Sequence, residues 1–296
     1  MRSLLFVPAD SEKKLAKSLE LGADCVIVDL EDSVAPAAKA KARAVALAFL
    51  VEAGRVPSRP LLYVRVNGLD SGLIEADLDA IMSAAPDGLM LPKCGGGADV
   101  QHLGAMLAVK EAEHDLADGS TKIIPIVTET AASMFALATY AGASPRLSGL
   151  AWGAEDLSAC LGAQTYCQSD GAYAAPYALA RTLTLLAASA AGVAAIDAIS
   201  PDFRDSDGLR AETETARRDG FSAKMAIHPV QVAIINAAFT PSPEEIAKAR
   251  SIVEAFAADP GVGVVALDGR MLDRPHLVKA QRLLARAELI AARTRS

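Results

Sequence analysis

The sequence predicts an α/β fold, a (β/α)8 TIM barrel followed by a C-terminal extension of helices and a hairpin. Short apolar runs alternate eight times with alanine-rich amphipathic segments. The runs are continuous and rich in β-branched residues, which suits parallel strands covered on both faces. The 296 residues, 52% of them hydrophobic, suffice for one barrel with a large core. We expect a barrel domain over residues 1–238 and an extension over 239–296.

The first helix should begin after Ser11, a plausible N-cap, and reach Leu21, and the second should cover about Ala37–Ala53. An open doubly wound sheet is the competing arrangement, but no G-x-G-x-x-G motif follows the first strand. The barrel is therefore preferred. Its eight predicted strands are Ser3–Val7, Asp24–Asp29, Leu61–Val66, Gly88–Pro92, Lys122–Thr128, Ser148–Gly153, Ala194–Ile199 and Ala223–Ile227.

The alternation ends after the eighth strand and its helix. Ser242, followed by proline and two glutamates, predicts the start of a helix that runs to about Ala258. The segment Pro260–Asp273 predicts a hairpin with an Asp-Gly turn, and a last amphipathic helix should cover Pro275–Ala292. A barrel does not need this C-terminal segment. The segment therefore either packs against the protein or acts as a lid.

Composition excludes several classes of function. The net charge of −7, with 29 basic against 36 acidic residues, argues against a general nucleic-acid binder. No apolar run approaches the roughly 18 residues of a membrane-spanning helix, and no signal-peptide pattern precedes the first strand. We therefore expect a cytoplasmic protein that binds neither nucleic acid nor membrane. Four cysteines form no CxxC pair and should be free buried thiols: Cys25, Cys94, Cys160 and Cys167.

Two carboxylates follow successive predicted strands, Glu129 after the fifth and Asp156 after the sixth. The carboxyl ends of parallel strands meet at one face of a barrel, so these side chains should converge. They could hold a hard divalent cation and leave room for an oxygen-rich substrate. The alternatives are a hydrogen-bonded structural role and a glycosidase-type acid/base pair. The second is disfavoured because only 4% of residues are aromatic.

Other charged residues stand at predicted strand ends. Arg65 lies inside an apolar strand, where a charge is costly unless it is paired or faces a ligand. A salt bridge that closes the barrel is its structural alternative. Asp29, Glu31 and Asp32 follow the second strand and could ligate metal or orient the metal ligands from behind. Equally, Asp32 and Ser33 could turn the chain and cap the next helix.

Three further features carry weaker signals. Lys93 after the fourth strand could form a Schiff base, as in one class of aldolases, but the paired carboxylates already suggest a metal. His228 is a lone histidine beside a proline and is expected to be structural. The glycines at 95–97 are a weak phosphate loop, because no lysine–serine pair follows them.

Seven motifs together resemble the HpcH/HpaI aldolase superfamily, and within it the citrate lyase β-subunit-like branch with the malyl-CoA and citramalyl-CoA lyases. The resemblance covers essentially the whole chain in order and is specific for the superfamily rather than for a substrate. The motifs are Arg2–Ala9, Val28–Val34, Val64–Gly68, Leu91–Lys93, Glu129–Ala131, Gly153–Leu157 and Lys224–Pro229.

The resemblance implies a (β/α)8 barrel with Mg2+ between Glu129 and Asp156, and Arg65 on the substrate's carbonyl or hydroxyl oxygen. It also implies a homo-oligomer, a trimer or hexamer, in which the C-terminal segment of one subunit covers its neighbour's site. There the aspartate of a Gly-x-Met-x-Asp-x-Pro pattern, here Asp273, is the acid/base for the acyl-CoA carbon. Backbone N–H groups of the Glu155–Asp156 turn could hold a substrate carboxylate.

The expected activity is Mg2+-dependent retro-Claisen cleavage of a β-hydroxyacyl-CoA thioester to acetyl-CoA and a small 2-oxo acid. Hydrolysis of a malyl-type thioester, action on citryl groups of an acyl-carrier protein inside a complex, and a non-catalytic binding role remain open. The identity of the 2-oxo acid also stays open. Four basic residues could contact CoA phosphates, although solvated helix faces explain them equally well: Lys14, Lys39, Lys41 and Arg43.

Overall fold

The computed structural model describes residues 1–259 and 261–295 of the chain. Pro260, the predicted first residue of the hairpin segment, lies outside them. The chain divides into two units, Met1–Ala237 and Ala238–Ser296. Each is described by itself below.

The first unit is an eight-stranded parallel sheet in the order β5-β4-β3-β2-β1-β8-β7-β6. Its two edges, β5 and β6, are joined by the isolated bridges Ile123–Leu147 and Ile126–Ala151, so the sheet forms a nearly closed barrel. The predicted (β/α)8 barrel is confirmed. The strands are β1 Ser3–Pro8, β2 Cys25–Asp29, β3 Leu61–Arg65, β4 Gly88–Leu91, β5 Lys122–Pro125, β6 Gly149–Ala151, β7 Ala194–Asp197 and β8 Ala223–Ala226.

Helices alternate with these strands, and short 3-10 turns complete several connections. The helices that follow the strands of the barrel are α1 Glu12–Ser18, α2 Lys39–Gly54, α3 Ile74–Ile81, α4 Gly97–Glu113, α5 Ala131–Met134, α6 Glu155–Leu161, α7 Ala175–Ala191, α8 Ser206–Asp219 and α9 Pro229–Phe239. The 3-10 turns are Pro36–Ala38, Leu69–Ser71, Met82–Ala84 and Leu137–Tyr140.

Most strands are one to three residues shorter than predicted, and the first helix is also shorter. Ser11 does precede α1, but its side chain makes no capping hydrogen bond, and α1 ends at Ser18 rather than Leu21. Strand β5 ends at Pro125 instead of Thr128, although the Ile126 N–H still donates to the Leu91 carbonyl at 2.9 Å. The Val127 N–H likewise donates to the Ala151 carbonyl at 2.9 Å, so pairing with the neighbouring strands continues for two residues beyond β5 before the loop that carries Glu129.

Apolar side chains from all eight strands fill the barrel, as the continuous apolar runs predicted. Glycine at position 88 makes room for one of them, since a Cβ there would overlap the Tyr63 ring. The buried interior residues are Leu4, Cys25, Ile27, Tyr63, Met90, Ile124, Ile126, Ala151, Ile196, Ala223 and Met225. This core supports the polar residues at the carboxyl ends of the strands.

In the second unit, α10 covers Pro243–Ala257 and begins with the capping box that Ser242 forms with Glu245. Strands β9 Val264–Leu267 and β10 Arg270–Asp273 pair antiparallel. The Asp-Gly turn between them has both residues at positive φ, 51° and 72°, as a tight hairpin requires. Helix α11 then runs from Arg274 to Arg295, slightly longer than predicted.

The cysteine prediction is only half right. Cys25 and Cys94 are buried free thiols, but Cys160 is exposed and Cys167 is half-buried. Cys160 lies on α6 and Cys167 in the loop that follows it, outside the packed core. Among the described residues, no helix combines the length and the apolar character of a bilayer span.

Candidate functional site

A cavity of about 290 Å³ opens at the carboxyl ends of the barrel strands. In a (β/α)8 barrel this is the face where connecting loops assemble a site. Most of the predicted site residues line it, and Glu31 lies directly behind Arg65. The lining consists of Phe6, Pro8, Asp29, Asp32, Ser33, Arg65, Ile126, Glu129, Gly153, Ala154, Glu155, Asp156, Ile199, Met225 and Ile227.

Glu129 is buried at the wall of this cavity, with 5% of its surface exposed. The backbone N–H of Lys93 donates a hydrogen bond to its Oε2 atom. Burial raises the pKa of Glu129 to about 8, and the nearby charges of Asp156 and Glu31 add to the effect. A cation beside this carboxylate would therefore offset a substantial electrostatic cost.

Asp156 lies in the first turn of α6, and its side chain is 38% exposed. Thr128 and Gly153 link the loops that carry the two carboxylates. The Thr128 hydroxyl donates to the Gly153 carbonyl, and the Gly153 N–H donates to Thr128 Oγ1, both at 3.1 Å. Thr128 directly precedes Glu129 and is fully buried, so this link sets the spacing of the carboxylates.

Arg65 at the end of β3 is both paired and directed to the cavity. Its Nε and Nη2 donate to the two carboxylate oxygens of Asp29 at 2.8 and 2.6 Å, and Nη1 lies 2.9 Å from Glu31 Oε2. Burial opposes the charge, but Asp29 and Glu31 raise the pKa of Arg65 above its usual value. Burial likewise opposes ionisation of Asp29, yet Arg65 holds its pKa below the usual value. The guanidinium is therefore a fixed positive charge at the cavity wall.

The position and contacts of Lys93 were not predicted from the sequence. It adopts a left-handed backbone with φ of 53°, which directs its N–H to Glu129. Its ammonium pairs with Glu31 and lies 3.3 Å from Asp32 and 3.8 Å from Asp156. Burial lowers the pKa of Lys93, but these acids more than reverse that and raise it. A Schiff base needs a neutral amine, so the geometry disagrees with that alternative.

The two alternatives for Asp32 are also distinguished. Asp32 and Ser33 do turn the chain, in a turn closed by the Val34 N–H and the Glu31 carbonyl at 3.0 Å. The 3-10 turn Pro36–Ala38 begins after Ala35 and has no side-chain cap, so their capping role is wrong. Asp32 instead lines the cavity and faces Lys93.

A buried ion pair on the outer face of the barrel was not predicted. Lys224 is fully buried, and its Nζ lies 3.2 Å from both Asp197 Oδ2 and Glu212 Oε1. Asp197 also accepts a hydrogen bond from Trp152 Nε1 at 2.8 Å. Trp152 immediately precedes the loop 153–156, so this network anchors one end of the Asp156 segment.

The contacts of His228 and of the glycine loop 95–97 indicate structural roles. The His228 ring stacks on Phe203 with 4.4 Å between the ring centroids, and its Nδ1 accepts from the Val230 N–H at 3.3 Å. The Gly97 N–H donates to Thr139 Oγ1 at 2.8 Å, and a Cβ on Gly97 would overlap the Thr139 backbone. That glycine is therefore needed for close packing.

Two of the four candidate CoA contacts are occupied elsewhere. Lys39 Nζ donates to the carbonyls of Leu30 and Glu31 and to the Asn67 side chain at 2.6 to 2.8 Å. Arg43 pairs with Asp77 at 2.8 Å. Lys39 thus ties together the loops after β2 and β3, and Arg43 joins α2 to α3. Lys14 and Lys41, on exposed helix faces, are left as the candidates.

Asp273 belongs to the second unit, at the end of β10. It is exposed, and its Oδ1 lies 2.5 Å from His276 Nδ1. The hydrogen bond from His276 lowers the pKa of Asp273, so the carboxylate is ionised at neutral pH.

The cavity suits a hard divalent cation. Glu129 and Asp156 would supply oxygen ligands, and a cation would favour the ionised form of Glu129, whose pKa burial and the neighbouring acids raise. Within residues 1–259 and 261–295, no group of three or more His, Cys, Asp or Glu side chains has metal-binding geometry. Mg2+ is commonly held by one or two carboxylates while water and substrate oxygens complete its coordination. The two carboxylates fit that pattern.

The chain is similar to known proteins over nearly its whole length. The chain is 39% identical to the (3S)-malyl-CoA thioesterase of Cereibacter sphaeroides, over 98% of this chain and 96% of that protein. It is 34% identical to the L-malyl-CoA/β-methylmalyl-CoA lyase of the same organism, again over 98% and 96%. The crystal structure of CitE from Mycobacterium tuberculosis with magnesium, acetoacetate and coenzyme A matches with a TM-score of 0.76. That match has 34% identity and covers 97% of this chain and 98% of CitE.

The family model of the HpcH/HpaI aldolase/citrate lyase proteins matches residues 2–229, which is most of the chain. The resemblance drawn from the seven motifs is thereby confirmed. The chain is an enzyme and belongs to the HpcH/HpaI aldolase/citrate lyase family.

Proposed function

We propose that this chain is a Mg2+-dependent carbon–carbon lyase acting on a β-hydroxyacyl-CoA thioester of the malyl-CoA or citramalyl-CoA type. The products would be acetyl-CoA and a 2-oxo acid. The observation that carries the proposal is that Glu129, Asp156 and Arg65 line a single cavity at the catalytic face of a barrel. The family membership and the relative named as a malyl-CoA lyase support it.

Glu129 and Asp156 would hold Mg2+, as the magnesium in the related CitE structure suggests. Bound there, Mg2+ supplies Lewis acidity that lowers the pKa of the substrate hydroxyl and orients the bond to be broken. The backbone N–H groups of the Glu155–Asp156 turn would receive the substrate carboxylate.

Arg65 would stabilise the negative charge that develops on the substrate oxygen during cleavage. Asp29 and Glu31 already fix the guanidinium, so it needs no reorganisation when the charge appears. Such preorganised donors in a site that excludes water are a major source of rate enhancement. The paired, buried state of Arg65 is thus compatible with a catalytic role.

Asp273 of a neighbouring subunit would exchange the proton at the acyl-CoA carbon. Cleavage would break the carbon–carbon bond, turn the hydroxyl into the carbonyl of the 2-oxo acid with loss of its proton, and leave the electron pair on the acyl carbon as an enolate. The protonated form of Asp273 would return a proton to that carbon, so no proton is gained or lost overall. In the reverse direction the ionised carboxylate, whose pKa His276 lowers, is ready to remove that proton. This role requires a homo-oligomer, a trimer or hexamer, in which the extension 239–296 covers the adjacent site.

Hydrolysis of the same thioester is the second candidate, because one relative at 39% identity is a (3S)-malyl-CoA thioesterase. Both reactions use the same metal pair. Identifying the products separates them, since a lyase forms acetyl-CoA with a 2-oxo acid and a thioesterase forms free CoA with the hydroxy acid. Turnover of free CoA thioesters by the isolated chain would also exclude an obligatory citryl carrier-protein subunit.

Replacing either carboxylate should remove the metal and the activity together. Glu129→Gln and Asp156→Asn should each weaken Mg2+ binding by more than about 100-fold, because each removes one of the two proposed carboxylate ligands. Calorimetric titration with Mg2+ and a turnover assay with and without EDTA measure the two effects. Asp207→Asn, on the exposed first turn of α8, is the matched control. Full activity in EDTA would refute the metal role.

Mg2+ affinity should increase with pH and level off near the pKa of Glu129. The metal-free carboxyl is protonated below its pKa of about 8, and a metal ligand must lose that proton. Below this value the apparent affinity should fall about tenfold per pH unit, with one proton released per ion bound. Calorimetry at several pH values, in buffers of different ionisation enthalpy, measures both quantities. An affinity that does not change from pH 6 to 8 would contradict the buried, protonated carboxyl.

The link between Thr128 and Gly153 should control metal affinity. Thr128→Val keeps the shape of the side chain but removes both hydrogen bonds, so Mg2+ binding should weaken by about 10–100-fold. Thr128→Ser keeps the hydroxyl and should restore most of the affinity. If the valine variant lowers only the unfolding temperature and leaves the Kd for Mg2+ unchanged, the link merely supports the fold.

Asp273→Asn should leave the fold intact and abolish exchange of the acetyl-CoA methyl protons with solvent. The side chain is exposed and its main partner is His276, so the substitution has little to disturb. Exchange can be followed by NMR in D2O with Mg2+ and a 2-oxo acid present. Persistence of exchange at the wild-type rate would mean that the base lies elsewhere.

A further inference from the structure

We infer that the preferred substrate carries a methyl group on the carbon that bears the hydroxyl, so that the 2-oxo acid released is pyruvate. A substrate with a further carboxylate at that carbon, such as a citryl thioester, is rejected. The inference rests on the proposed function and deepens it. It follows from the charge and polarity of the residues that line the cavity.

The charged part of that wall is strongly acidic. Five of the lining residues are acids and a single one, Arg65, is a cation. Both oxygens of Asp29 and one of Glu31 already occupy the Arg65 guanidinium. The acids on the wall are Asp29, Asp32, Glu129, Glu155 and Asp156.

The remaining wall is apolar apart from Ser33 and Gly153, and Ala154 contributes only a methyl group to it. Ile126 and Met225 are each 3% exposed and belong to the packed interior of the barrel. Water at this surface would have no polar partner below it. The other apolar residues on the wall are Phe6, Pro8, Ile199 and Ile227.

The size of the cavity restricts how a substrate enters. A pantetheine arm and a phosphorylated nucleotide exceed the space of about 290 Å³, so the CoA end must leave through the mouth. The hydroxyl carbon, its carboxylate and its remaining substituent then lie inside. The carboxylate and the hydroxyl face the metal pair and Arg65. The remaining substituent therefore meets either an apolar side chain or one of the acids.

This choice ranks the three simplest substituents. A hydrogen, as in malyl-CoA, gains nothing from the apolar wall. A methyl group, as in citramalyl-CoA, buries apolar surface there. A carboxymethyl group, as in citryl-CoA, places a second charge against apolar or acidic lining residues. The cation among them, Arg65, already contacts Asp29 and Glu31 and receives the substrate oxygen.

The experiment compares kcat/KM for citramalyl-CoA, malyl-CoA and citryl-CoA with the Mg2+-loaded protein. Citramalyl-CoA should exceed malyl-CoA by about 10–200-fold, the range that one methyl group gives in an apolar pocket. Citryl-CoA should be the poorest by at least about 100-fold. Calorimetry with pyruvate, glyoxylate and oxaloacetate in the presence of Mg2+ should give the same order of affinity.

A variant with a new cation tests the cause of the rejection. Ile227 lines the cavity but is 39% exposed, so a longer polar side chain is tolerated there. Ile227→Lys should raise the citryl-CoA to citramalyl-CoA ratio of kcat/KM by about tenfold or more, because the ammonium can pair with the added carboxylate. Ile227→Gln, of similar length and without charge, should leave this ratio close to that of the unmodified chain.

The outcomes separate this inference from the proposed function. Equal or better use of malyl-CoA or citryl-CoA overturns the inference while leaving the lyase intact. An absence of cleavage of all three thioesters, with pyruvate still bound most tightly, removes the proposed function and supports the description of the pocket. No preference among the three 2-oxo acids, with or without turnover, overturns the inference.

Discussion

The balance of charge at the carboxyl ends of β2 to β6 governs the rest of the site. Asp29, Glu31, Glu129 and their acidic neighbours converge within a low-dielectric wall, where like charges repel strongly. Arg65 pairs with two of these acids and Lys93 bridges three, and Glu31 belongs to both sets. Burial nevertheless keeps the pKa of Glu129 raised, and the neighbouring acids add to that shift. A divalent cation is the simplest complement to that arrangement.

Rigid supports hold this repulsive cluster in place. On one side, hydrogen bonds between Thr128 and Gly153 tie the loops of the two carboxylates together. On the other, the buried Asp197–Lys224 pair fixes Trp152, which leads into the loop of Asp156. The side chains that make these supports, those of Thr128, Trp152, Asp197 and Lys224, do not line the cavity. The ligands can therefore stay free for a metal and a substrate while their backbones are immobilised.

Much of the molecule could be predicted from the sequence, because the relevant signals are local. Continuous β-branched runs indicated the buried parallel strands, and carboxylates at their ends indicated one shared site. The features that could not be predicted depend on strand register and on contacts between residues that are far apart in the sequence. Arg65 meets Asp29 because those two positions are directly paired between β2 and β3, and a slip of one residue would separate them. The left-handed backbone of Lys93 and the burial of Lys224 likewise follow from the assembled barrel.

The way the barrel closes has a consequence for its dynamics. Strands β5 and β6 are held together by isolated bridges rather than by a continuous ladder, and they are the strands that lead to Glu129 and Asp156. An ion shared by these carboxylates would act as a staple across this seam. Binding of the ion would then favour the closed form of the barrel, and closure of the barrel would favour binding of the ion. Amide hydrogen exchange of residues in β5 and β6 should therefore be slower with the ion bound than without it.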